Sequence, residues 1–116
     1  QAPPPPSDPC YITGTSSPNT ILTLIPSSNT YSFGDVISVN VNWGSQSSIF
    51  LYENEALVMN LCSYCYFTNV GSGMNQRTIT LPSGGAISAS NCYTIRVLQT
   101  AGNSPYLVVS NPITIY

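Results

Sequence analysis

The chain contains no histidine and no lysine, and its entire cationic complement is Arg77 and Arg96. Without an imidazole, neither a Ser-His-Asp nor a Cys-His catalytic arrangement can be assembled. Two arginines against four acids leave a net charge of -2, so no basic patch exists to release counterions from nucleic acid or to grip an anionic bilayer. Nucleic acid is therefore excluded as a partner. Only 5% of the 116 residues are charged, which leaves hydroxyls and amides to wet the surface. No apolar run approaches the ~20 residues that span a bilayer. There is also no basic segment leading into an apolar leader, no lipidation box and no hydrophobic anchor signal. The sequence is accordingly read as a mature chain without membrane insertion, Gln1 being the residue that leader cleavage would leave. No Asn begins an N-x-Ser/Thr sequon, and only the rare N-x-Cys form occurs, at Asn60-Leu61-Cys62.

Ser and Thr supply about a quarter of the chain, a composition that solvates without charge and offers sites for O-linked sugar. The candidates are Ser7, Thr13, Thr15, Ser16 and Ser17, beside prolines and outside the expected strands. Four cysteines, Cys10, Cys62, Cys65 and Cys92, form an even set in a small polar chain, which reads as a disulfide framework in an oxidising, extracellular compartment. The alternative reading of Cys62-Ser63-Tyr64-Cys65 as a zinc site lacks a histidine and a second C-x-x-C pair. A redox-active C-x-x-C would open a helix beside a βαβ pattern, and none is visible. No metal and no cofactor is expected. Four cysteines allow three pairings; the expected strand order separates Cys92 from the Cys62 region, which favours Cys10 with Cys92 and Cys62 with Cys65.

Residues 1–20 differ in composition from the rest. Pro3-Pro4-Pro5-Pro6 favours an extended polyproline II arm that cannot form a core alone. From Ile21 onward the apolar residues recur with period two in short runs, the signature of strands. Those runs are Ile21–Ile25, Val36–Trp43, Ser48–Glu53, Ala56–Cys62, Gln76–Leu81, Cys92–Gln99 and Tyr106–Tyr116, the last broken near Pro112. Turn residues separate them, as in Gly71-Ser72-Gly73 and Pro82-Ser83-Gly84-Gly85. Alternation turns Ile37, Val39, Val41, Trp43, Leu57, Met59, Leu61, Ile79, Leu81, Tyr93, Ile95 and Val97 inward. It leaves Ser38, Asn40, Asn42, Thr78, Thr80, Thr94 and Arg96 on wet outer faces. The fold class that follows is an all-β, antiparallel sandwich of about seven strands over residues 21–116, with an extended arm at 1–20.

The four carboxylates include one close pair, Glu53 and Glu55, and two carboxylates suffice for glycoside hydrolysis. Here they flank an expected hairpin loop, where acids serve solvation. Asp35 after Gly34 reads as a turn residue, since no spaced acidic loop accompanies it to hold calcium. No catalytic residue is assigned. Tyr64, Tyr66 and Phe67 cluster around the C-x-x-C and raise a sugar-stacking reading, against which stands simple packing over a pinned loop.

The order of several stretches resembles a known family. They are the Pro26-Ser27-Ser28 turn, Gly34-Asp35-Val36-Ile37-Ser38-Val39-Asn40-Val41-Asn42-Trp43, Ile49-Phe50-Leu51-Tyr52, Thr80-Leu81-Pro82, Tyr93-Thr94-Ile95-Arg96-Val97 and Ser110-Asn111-Pro112-Ile113-Thr114-Ile115. Together they are similar to the Ig-like domain of fungal β-1,6-glucan-synthesis and Ser/Thr-rich GPI-anchored cell-wall proteins. The Pro3–Ser7 segment also resembles the hydroxyproline-rich arms of algal and plant wall glycoproteins. The resemblance implies an Ig-like sandwich with a surface role among cell-wall or matrix glycans and no active site. The Ig inter-sheet disulfide is not expected, because the Val36–Trp43 strand has no Cys and alternation turns Cys92 away from Tyr93 and Ile95. The function expected is that of a secreted, O-glycosylated structural protein of the cell surface or extracellular matrix. It would assemble with copies of itself through head-to-tail docking of the arm, the alternatives being an arm that folds back on its own domain, tethered by Cys10, and a carbohydrate-binding or adhesion module.

Overall fold

A computed structural model describes residues 9–12, 14–44, 46–99 and 106–116. Every regular element among them is a strand. In chain order they are β1 (Leu22–Ile25), β2 (Thr30–Tyr31), β3 (Val36–Val41), β4 (Gln46–Glu53), β5 (Ala56–Tyr66), β6 (Thr68–Gly71), β7 (Met74–Thr80), β8 (Ser90–Gln99), β9 (Tyr106–Val109) and β10 (Ile113–Ile115). One sheet runs β1-β3-β7-β6; the other runs β2-β10-β8-β4-β5, with β9 also paired to β8. All pairings are antiparallel except β2 with β10. The seven runs expected from alternation are all strands, the last split into β9 and β10 around Asn111 and Pro112. Two further strands carry no such signal. β2 is two residues long, too short for a period to show although its Tyr31 is buried, and all four residues of β6 are exposed, so neither offers an alternation to read.

The sandwich closes because the inward residues of both sheets meet in one apolar cluster. From the first sheet come Ile37, Val39, Val41 and Ile79; from the second come Ile49, Leu51, Tyr93, Ile95, Val97, Val108, Ile113 and Ile115. Trp43 lies at one end of this core, donates its indole N–H to Ser47 Oγ at 2.9 Å and stacks on Tyr106 with ring centroids 5.7 Å apart. Hairpins join the strands where the chain needs left-handed backbone. Ser72 and Gly73, at φ 56° and 76°, form the tight β6–β7 turn, and Asn54 at φ 52° serves β4–β5.

Four residues depart from the expected faces. Leu57 is 55% exposed, because a register shift between Leu51 and Tyr52 sets it opposite Tyr52, on the same outward face as Thr94. Asn40, Thr94 and Arg96 are buried, at 8%, 0% and 7% exposure, although they lie on the faces that alternation turns away from the core. For β8 the cause is a covering segment, described below. On β3 and β8 the faces are assigned correctly by period two; what lies on top of a face is not a local property of the strand.

Tyr93 fixes the approach to β8 by donating its phenol O–H to the Ser88 carbonyl. Burial, reinforced by the nearby Glu53 carboxylate, pushes its pKa up to about 12. Below pH 10 the phenol is protonated in both folded and unfolded chains. Between about 10 and 12 the unfolded chain releases a proton that the folded chain retains, so stability falls as pH rises through that window. An absorbance titration should find one tyrosine ionising near pH 12, coincident with unfolding. Tyr93→Phe should remove that step and cost about 1 kcal/mol at neutral pH; a variant of wild-type stability with the late step intact would contradict the assignment.

Candidate functional site

Two features stand out on this scaffold: a covered face of β8 and a tyrosine-bearing bulge at one end of β5. The first begins at Cys10, joined to Cys92 with a Cα–Cα distance of 5.3 Å and a sequence separation of 82. Closing a loop of that length restricts the unfolded chain by about 4–5 kcal/mol in the chain-entropy model. From this anchor the N-terminal segment crosses the outer face of β8. The Tyr11 amide donates to Asn54 Oδ1 at 2.9 Å, tying it to the β4–β5 hairpin. Gly14 then passes so close to Arg96 that a Cβ built on it would stand 2.6 Å from Nη1 and 2.7 Å from Cζ. On the guanidinium's other side the Tyr52 ring lies 3.9 Å from Cζ, a cation–π contact. Arg96 Nε and Nη2 have no hydrogen-bond partner among the described residues, so these two buried nitrogens rest on packing and a ring face.

Beyond Gly14 the segment closes the free edge of β9. The Ser17 amide donates to the Leu107 carbonyl at 2.7 Å, and the Leu107 and Val109 amides donate to Ser17 Oγ and Ser16 Oγ at 3.0 and 2.9 Å. Edge groups that invite another strand are thus satisfied within the chain. Of the glycosylation candidates, Thr15 is exposed; Ser16 is exposed and Ser17 half-buried, each with its hydroxyl already engaged as an acceptor. Ser7 and Thr13 lie outside the described residues, as do Pro3–Pro6 of the arm.

The second feature is built by a disulfide. Ser47 pairs with Cys65 and Ile49 with Cys62, so one residue of β4 opposes two of β5, Ser63 and Tyr64. This is a β-bulge, clamped across its base by the Cys62–Cys65 bridge, with Cα atoms 5.9 Å apart. Tyr64 takes φ 49°, a conformation bulky L-residues rarely adopt. It is held there by its amide donating to Ser48 Oγ at 3.0 Å and its carbonyl accepting from Gln46 Nε2 at 3.1 Å. The Tyr64 and Tyr66 side chains stand 62% and 69% exposed. Phe67 does not join them: it is 5% exposed and belongs to the core, because the chain turns inward there as it leaves one sheet for the other. The sugar-stacking set therefore reduces to Tyr64 and Tyr66.

Beside Tyr66 a shallow groove is lined by Thr68, Val70, Gln76, Arg77 and Thr78. Arg77 Nη1 donates to the Tyr66 carbonyl at 3.4 Å, placing a guanidinium next to an exposed phenol. The sequence shows Arg77 only as one of the chain's two cations, with nothing to say what lies beside it. Glu53 and Glu55 sit at the opposite end of β5, on the β4–β5 hairpin, lining a concavity with Pro9 and Tyr11. Among the described residues no cluster of three or more metal-ligating side chains occurs. No protein-family model, curated protein or solved structure matches the chain.

The Arg96 side chain is stacked and enclosed, so it has little room to yield to a new methyl group. Gly14→Ala is expected to lower stability by roughly 1–3 kcal/mol, seen as a lower urea midpoint. Arg96→Met removes the unpaired charge and should leave the midpoint unchanged or raise it. An unchanged midpoint for Gly14→Ala would show that the segment rides freely over β8.

Proposed function

We propose that this protein is a secreted, non-catalytic structural subunit of the cell surface or extracellular matrix, joined to copies of itself through its N-terminal arm. The observation that carries this reading is the Cys10–Cys92 bridge. It joins the chain at Cys10 covalently to the central strand β8, so a partner held by the proline-rich sequence before it would be coupled directly to the sandwich. Two disulfides suit an oxidising compartment. Among the described residues no helix is long and apolar enough to cross a membrane. The Ig-like form of the reading draws support from the strand order. β1-β3-β7-β6 follows the ABED order, and β4-β8 with β9 and β10 follows CFG, with Tyr93 in the place of the corner tyrosine. The non-catalytic form of the reading is supported by the lack of histidine and by the position of Glu53 and Glu55 on one hairpin, Glu53 ending β4 and Glu55 lying in the turn.

Assembly through the arm predicts that deleting Gln1–Pro9 converts filaments or oligomers seen by electron microscopy into single particles. Native material that is monomeric at all concentrations, or truncated material that assembles as before, would remove this reading.

A second reading, a carbohydrate-binding module, is favoured by the exposed Tyr64 and Tyr66 on their clamped bulge, since phenol rings stack on the C–H faces of sugars. On a glycan array with a parallel turnover assay, it predicts saturable binding without hydrolysis. Tyr64→Ala and Tyr66→Ala should each weaken that binding about tenfold or more, as for stacked hot-spot residues. Turnover would make the protein an enzyme, and binding indifferent to both substitutions would place the sugar elsewhere.

A further inference from the structure

Resting on the assembly reading above, we infer that the groove beside Tyr66 and Arg77 is the receptor for the proline-rich arm of a neighbouring copy. Three properties of the groove define its occupant. Its floor and wall mix an exposed aromatic ring with Thr68, Val70 and Thr78, a surface of the kind that proline-rich segments dock on. Its rim carries Arg77, which is exposed, and the other cationic side chain, Arg96, is buried, so this is the one exposed cationic side chain. Arg77 makes no ion pair with any described residue; its bond is to the Tyr66 carbonyl. The groove thus calls for an extended, proline-rich ligand with an acid close by.

The sequence supplies such a segment: Pro3-Pro4-Pro5-Pro6-Ser7-Asp8, outside the described residues. Polyproline II is preformed, so docking costs little conformational entropy. Asp8 adds a carboxylate that matches the guanidinium.

Geometry sets the contact between molecules and not within one. Pro9 lines the concavity at the hairpin end of β5, with Glu53 and Ala56, whereas Tyr66 closes the other end of that eleven-residue strand. At about 3.3 Å per residue the two ends are roughly 30 Å apart. Asp8 precedes Pro9 by one peptide, a reach of about 4 Å, so a chain's own Asp8 cannot meet its own Arg77. Across that distance Glu53 and Glu55 are screened from Arg77, the Debye length being about 8 Å. Each molecule then offers an acidic arm at one end and a cationic groove at the other. The contact is heterologous and propagates head to tail.

Charge exchange in the full-length chain tests the pairing. Assembly is followed by sedimentation velocity, with circular dichroism confirming that each variant is folded. Asp8→Arg and Arg77→Asp should each reduce the association constant by about tenfold or more, because each replaces an attraction by a like-charge contact. The double variant should recover to within about threefold of wild type. Tyr66→Ala should weaken association similarly, and Tyr11→Ala, on the opposite end, should not. If deletion of Gln1–Pro9 abolishes assembly while Arg77→Asp and Tyr66→Ala assemble normally, the arm docks elsewhere and this inference fails, with the assembly reading intact. If the double variant is as weak as the singles, Asp8 and Arg77 are not partners. A wild-type chain that never associates overturns both.

Discussion

The burial of β8 on both faces is the constraint that organises the molecule. Its inward side chains, Tyr93, Ile95 and Val97, are 1%, 0% and 0% exposed and form the middle of the core. Its outward side chains, Cys92, Thr94 and Arg96, are 2%, 0% and 7% exposed because the N-terminal segment lies across them. The strand is also flanked by β4 on one side and by β9 and β10 on the other. The covering segment is therefore a third layer over one part of a two-layer fold. Its cost is visible in Arg96, a cation largely taken out of water with no carboxylate partner among the described residues, and in Thr94 Oγ1, which likewise has no partner among them. The Cys10–Cys92 bond offsets that cost from the unfolded side, by limiting the states the free chain can explore.

How much of this was legible in the sequence depends on how local each cause is. Period two identified Ile37, Val39 and Val41 as core because their burial follows from the pleat of their own strand. The same rule put Arg96 outside, which is right for the face and wrong for the exposure, since its cover comes from Gly14, far away in sequence. Around Cys62 the failure was of another kind. A bulge inserts one residue and shifts the parity of everything after it, so Tyr64, Tyr66 and Phe67 could not be sorted by counting. The exposed tyrosines and the groove with Arg77 emerge only once that register is known.

A surface of hydroxyls and amides behaves differently from a charged one. Asn42 shows the mode: its amide donates to the Asn19 carbonyl and its Oδ1 accepts from the Ile21 amide, pinning a loop to β3 without any charge. Ser28 and Thr30 bond each other across a turn in the same way. Such contacts are short-ranged and insensitive to ionic strength, whereas the few charges present act as isolated points.

The Cys10–Cys92 bridge also decides how the protein bears tension. Pull on the arm at one end and on Tyr116 at the other, and the force passes from Cys10 through the two sulfurs directly into Cys92. Strands β1 to β7 all lie within the covalent loop between those two residues. They are bypassed: stretching cannot draw out their length unless the bond is reduced. Only β8, β9 and β10 remain on that path, so a pull between Cys10 and Tyr116 meets a short, fixed maximum extension.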